Sequence, residues 1–126
     1  MPNDDALSAQ AVKRLQTEKI IWMATVRPGG RPHLVPVWFV LVEGRIYACI
    51  DPDSVKGRNL KENPNISVAL EEGKHPLICE GQTGFPPKPW PAAVVGAFLS
   101  KYEWDISTDD RYSALIEVTP VKWMSW

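Results

Sequence analysis

Cysteine and histidine are scarce, with two of each among the 126 residues. Cys49 and Cys79 have no CxxC partner, and His33 and His75 stand apart from them, so no zinc-ligand set is expected and no metal site is assigned. Each cysteine sits in an apolar run, Ile46 to Ile50 or Leu77 to Cys79, where a small buried hydrophobe is the ordinary role. An excess of one charge is also missing. Fourteen basic residues against 15 acidic leave a net charge of -1, which argues against a nucleic-acid binder and leaves room only for a localised basic site. Long hydrophobic runs are absent too: the longest, Leu34 to Val42, contains Pro36 and is about half the length of a membrane span. Met1 to Ala9 is acidic and polar where a secretory signal would be basic and then apolar, so no membrane partner and a cytoplasmic location are expected. There is no HExxH, no GxxxxGK[ST], no GxGxxG and no Ser/His/Asp or Cys/His spacing. Catalytic side chains therefore stay unassigned, and any chemistry would come from a bound cofactor acting on a small molecule.

What the chain does have is tryptophan, at six residues, and proline, at twelve. Six tryptophans in a small chain call for burial against a core, a partner subunit or an aromatic ligand. Asp4 to Gln16 reads as an amphipathic helix capped by Asp4 or Asp5, with Leu7, Ala11 and Leu15 on one face. Strands follow at Ile20 to Val26 and His33 to Val42 around the Arg27-Pro28-Gly29-Gly30 turn, and at Arg45 to Ile50 after Glu43-Gly44. Ser54 can cap a helix over Val55 to Glu62, which Asn63-Pro64 stops. Ile66 to Leu70 and Leu77 to Thr83 read as strands. Phe85 to Pro91 is a proline-rich loop in which Trp90 is either a lid at a site mouth or a local plug of the core. A helix over Ala92 to Lys101 and strands at Ser113 to Val118 and Val121 to Met124, hinged at Thr119-Pro120, complete one domain, residues 1–126. Short-turned antiparallel strands with a helix inserted after the third suggest a small, partly closed barrel.

Two segments point to function. The strand from His33 to Val42 is apolar on both faces, so something covers its outside: a second subunit, a flat aromatic ligand or an internal helix. The second segment is Ser54-Val55-Lys56-Gly57-Arg58-Asn59-Leu60. Ser54 caps the helix, the first N–H groups are unpaired, the dipole favours an anion, and Lys56 and Arg58 add positive charge. Gly57 would let a ligand approach the backbone. This describes a phosphate cradle, and equally a capped helix with two solvated cations. His33 reads as a polar strand-end residue.

Met23-Ala24-Thr25-Val26, Gly30-Arg31-Pro32-His33 through Pro36-Val37-Trp38-Phe39, Asp51 to Ser54, Lys56-x-Arg58-Asn59-Leu60, Asn63-Pro64 and Glu80-Gly81 form an ordered series. It resembles the pyridoxamine 5'-phosphate oxidase-like family, and more narrowly its flavin- and deazaflavin-binding split-barrel reductases. The match runs from about Ile20 to Gln82, and the ending Ile116 to Trp126 is also similar. The resemblance implies a mainly β fold, a six-stranded antiparallel split β-barrel, Greek-key-like, with two or three short helices. It further implies a homodimer with FMN at the subunit interface. Val35, Pro36, Val37 and Trp38 would lie along the isoalloxazine, Cys49 and Ile50 would end the adjoining strand, and Ser54, Lys56 and Arg58 would hold the phosphate. Cys49-Ile50 replaces a hydroxyl residue common in FMN-binding members, and the arginine motif by which pyridoxamine phosphate oxidases bind substrate is missing. The activity implied is therefore a flavin-dependent oxidoreductase passing hydride to a small molecule; a reductase using deazaflavin (coenzyme F-420) and a non-catalytic flavin-binding protein are the alternatives.

Overall fold

The computed structural model describes residues 7–126. Helix α1 (Ala9–Thr17) starts from Ser8, whose side chain accepts the Ala11 N–H. This serine is the cap of the helix; Asp4 and Asp5 lie outside the described residues. Leu15 is fully buried, and Leu7 and Ala11 pack against the same cluster, as the helical repeat requires.

Seven strands form one antiparallel sheet. They are β1 (Ile21–Val26), β2 (Pro32–Val37), β3 (Val40–Val42), β4 (Arg45–Ile50), β5 (Asn65–Leu70), β6 (Leu77–Gly84) and β7 (Ala114–Ser125), in the spatial order β2-β1-β5-β6-β7-β4-β3. Seven strands stand where the family resemblance implies six, and two of the strand bounds read from the sequence are corrected. The run from His33 to Val42 is not one strand, because it breaks at Trp38-Phe39, and β2 and β3 lie on opposite edges of the sheet. The hinge expected at Thr119-Pro120 is instead a bulge inside one strand: Gly81 pairs with Pro120 and Glu80 with Lys122, so Val121 is passed over. A side chain at Gly81 would come within 2.6 Å of the Thr119 carbonyl oxygen, so β6 needs glycine there. The β3–β4 hairpin turns on Glu43 and Gly44, both at positive φ (51° and 77°), as a two-residue turn that matches strand twist demands.

The break closes the barrel. Only Trp38 and Phe39 link the two edge strands, and three Cα steps span at most about 11 Å, so the sheet must curl until its edges nearly meet. The interior holds Ile21, Met23, Phe39, Ile46, Ala48, Ile50, Val68, Cys79, Ile116 and Val118, among others. Helix α2 (Val55–Glu62) packs on β1, where buried Asn59 donates its Nδ2 hydrogen to Thr25 Oγ1 at 3.0 Å. Helix α3 (Ala92–Tyr102) builds a second cluster outside the barrel, with Val94 and Phe98 among Val40, Tyr47, Cys49 and Leu115. An internal helix thus covers the later half of the doubly apolar run, at Val40. The earlier half stays open, with Leu34 61% and Trp38 46% exposed.

Trp90 belongs to this second cluster and is buried at 9% exposure. It is the plug of the two readings and does not line the pocket described below. After α3, a short 3-10 turn at Ile106–Thr108, not anticipated from the sequence, leads into β7. No helix among the described residues is long and apolar enough to cross a membrane.

Candidate functional site

The strand-to-helix junction after β4 folds as its residues dictate. Ser54 Oγ accepts the Gly57 N–H at 3.2 Å and donates to the Asp51 carbonyl, while the Ser54 carbonyl accepts the Arg58 N–H. The amides of Val55 and Lys56 are left without partners among the described residues, as the first turn of a helix leaves them. Gly57 has a different role from the one expected. A Cβ there would lie 2.8 Å from the carbonyl oxygens of Asp51 and Pro52, so this glycine lets the loop close over the helix start rather than admitting a ligand.

Lys56 is partly buried, and burial holds its pKa below the usual lysine value against the pull of Asp51. His33 lies within reach of the charges of Arg27 and Lys56; burial first, and then these two cations, lower its pKa. Its Nδ1 is buried with no hydrogen-bond partner among the described residues. Such an atom costs free energy unless something polar completes it.

Lys56 helps to line a pocket of about 570 Å³ at the barrel seam, a size typical of small-ligand sites. One wall is the β2–β3 crossing, with Pro36, Val37 and Trp38, and the end of β4, with Cys49 and Ile50. Six of the nine site residues expected from the sequence, Lys56 included, are thereby gathered. The other three do not line it. Val35 sits further up β2 opposite Met23, Ser54 is occupied as the cap, and Arg58 is solvent-exposed on α2. Cys49 does not replace a ribityl-binding hydroxyl, since its thiol already donates to the Tyr112 carbonyl at 3.0 Å. Burial pushes that thiol up to about 12, so it stays protonated.

The rest of the lining comes from residues the sequence reading did not assemble: Tyr102, Glu103, Trp104, Asp109 and Tyr112. Trp38 stacks on Tyr102 with ring centroids 4.6 Å apart, and Trp104 meets Trp38 and Tyr112 edge-on at 5.8 and 5.9 Å. The Tyr102 hydroxyl accepts the Phe39 N–H at 2.9 Å, and Lys101 Nζ donates to the carbonyls of Phe39 and Leu15. The C-terminal turn of α3 therefore fixes the seam. Among the described residues no cluster of three or more metal-ligating side chains occurs.

A split barrel with a largely apolar pocket, lined in part by a lysine from the first turn of a helix, offers a site of small-molecule size. The chain belongs to the pyridoxamine 5'-phosphate oxidase family, whose model matches residues 7–126. Among solved structures it is similar to a conserved hypothetical protein from Mycobacterium tuberculosis (21% identity, 98% of this chain and 86% of that one, TM-score 0.78). It is also similar to a heme storage protein from Vibrio cholerae (20% identity, 89% of each chain, TM-score 0.75). An F420 reductase matches at 21% identity over 88% of this chain and 93% of its own, with a TM-score of 0.71. At these identities the likeness is one of fold. No curated protein matches the sequence.

Proposed function

We propose that the chain is an oxidoreductase that binds FMN in the seam pocket, at the interface of a homodimer, and reduces or oxidises a small molecule. The observation that carries this reading is the pocket itself: a half-buried lysine from a helix turn with free amides, in a lining that is otherwise largely apolar and aromatic. The Lys56 ammonium group and the unpartnered amides of Val55 and Lys56 are the donors that a phosphate needs, so the residues present fit the cofactor. Lys56 and the free amides of the first turn of α2 would hold the phosphate, with Arg58 adding charge from the exposed face of the helix. Pro36, Val37, Trp38 and Ile50 would hold the ring and keep water from it. FMN, when bound, supplies hydride transfer; the chain supplies position and a dry face.

The interface belongs to the same reading. Cross-strand pairs place Pro36, Trp22, Ala69, Ile78 and Met124 side by side across five strands, on the sheet face turned away from the barrel interior. None of the helices makes its main contacts with β5 or β6, where that row is centred. Pro36 ends the row and also lines the pocket. A second copy seated on this face would reach the site.

The test is titration with FMN and with riboflavin, which lacks the phosphate. A charge-assisted phosphate contact contributes about 1.5–3 kcal/mol, so Lys56→Ala and Arg58→Ala should each weaken FMN roughly ten- to a hundredfold and leave riboflavin nearly unchanged. Equal losses for both ligands, or none for either, would overturn the placement. Similarity to an F420 reductase favours deazaflavin as the second reading; the absorption spectrum of the purified protein distinguishes the two.

A further inference from the structure

Strand β3 is an edge of the sheet, and the pairing of its hairpin decides which backbone groups it leaves open. Around the Glu43-Gly44 turn Val42 pairs with Arg45, Leu41 with Ile46 and Val40 with Tyr47. In a two-residue hairpin the pair next to the turn exchanges hydrogen bonds and the pairs then alternate, so Val40 and Val42 bond to β4 while Phe39 and Leu41 turn their N–H and carbonyl groups outward. At Phe39 both groups are taken: the Tyr102 hydroxyl accepts the N–H, and Lys101 Nζ donates to the carbonyl. Those of Leu41 have no partner among the described residues.

Leu41 lines a cavity of about 420 Å³, together with Thr17 at the end of α1, Lys19 beyond it, and Ser100 and Lys101 of α3. This cavity shares no lining residue with the seam pocket, and its lining carries two cations and no carboxylate. The charge of Lys19 acts on Lys101, so the two ammonium groups are neighbours. Neither belongs to any of the four ion pairs among the described residues, and Glu18, whose charge also reaches Lys101, is bound to Arg14. The helix-end carbonyls of Leu15 and Lys101, which would repel an anion, are covered by Lys101 Nζ and Lys19 Nζ. Two adjacent cations without a counterion favour a carboxylate, and an open N–H and carbonyl on one edge residue favour an extended peptide unit. Leu41 alone offers that pair, between the capped Phe39 and the hairpin turn, so the space suits a molecule of one or two peptide units rather than a strand of another protein. A ligand running antiparallel to β3 comes level with Phe39, and so with Lys101, just after the residue opposite Leu41.

We infer that the cavity between α1 and α3 binds a short free peptide by its C-terminal end, its backbone paired with Leu41 and its carboxylate held by Lys19 and Lys101.

The probes are N-acetyl-alanyl-alanine, its neutral C-terminal amide, and acetate, each titrated while the Leu41 backbone amide is followed by NMR. The wild type should bind the peptide acid roughly tenfold more tightly than the amide, and acetate more weakly than either. The Leu41 amide should move downfield and exchange more slowly with solvent in the complex. Lys19 is exposed, so Lys19→Gln should reduce the preference for the acid at least threefold with the melting temperature unchanged. Equal affinities for acid and amide in the wild type, a preference undiminished in Lys19→Gln, or an unperturbed Leu41 amide would overturn the inference. So would acetate binding as tightly as the peptide acid, which would mark a bare anion site.

Discussion

Lys101 carries its ammonium group into a partly apolar setting. It donates to two carbonyls and lies 3.8 Å above the Phe39 ring. Burial, with help from the charge of Lys19, lowers its pKa from 10.5 to about 8. The sign of the linkage follows. Below pH 8 both folded and unfolded chains hold the proton, and the cost of burying the charge is fully present. Between about 8 and 10.5 the unfolded chain binds more protons than the folded one, so this residue makes stability rise with pH. Urea unfolding midpoints measured from pH 7.5 to 10.5 should climb more steeply for the wild type than for Lys101→Met; parallel curves would mean the ammonium is better solvated than its contacts indicate. The sequence displays Lys101 only as the charge at the end of an apolar helix. Its partners Leu15 and Phe39 are distant in sequence, and no local pattern joins them.

Individual elements were legible where their signals are local. The bounds of α2 and its Ser54 cap match the sequence reading, because a cap, a helix and an Asn-Pro stop are decided by neighbours within a few residues. The break between β2 and β3 was hidden. Val37, Trp38, Phe39 and Val40 form an unbroken apolar run, and hydrophobicity does not say which core each residue serves. The aromatic wall was hidden for another reason, since Trp38 meets Tyr102 and Trp104 only after the barrel closes. Trp90 was ambiguous from sequence because both a lid and a plug are aromatic residues in proline-rich loops. With Val94 and Phe98 around it in the second cluster, Trp90→Ala should cost about 3–5 kcal/mol of stability. Denaturant unfolding measures this, and a change within about 0.5 kcal/mol would mean that the indole is not packed as described.

At the level of the whole molecule, the apolar row from Pro36 to Met124 is only partly covered in the single chain. A second copy seated there, as proposed, would also cover Leu34 and Trp38, which are exposed beside it. Ile78 lies on this row, and its side chain is not part of the barrel interior. Ile78→Lys should therefore convert a dimer to a monomer in sedimentation at micromolar concentration, with the melting temperature falling only as far as loss of the partner requires. A wild type that sediments as a monomer would remove the interface and, with it, the placement of the cofactor between subunits. The doubly apolar run did announce an uncovered surface in the sequence; which half stays open was decided by where α3 docks.

Strand β7 comes after the other six strands in sequence order, yet it lies inside the sheet, between β6 and β4. Without it the sheet falls into two pieces, β2-β1-β5-β6 and β4-β3, each with an unpaired inner edge. On the ribosome the chain must therefore wait. The β1–β2, β3–β4 and β5–β6 hairpins can form as they emerge, but the two pieces are not joined until residues 114–125 clear the exit tunnel. Until then the flanks of β4 and β6 present open backbone to other chains.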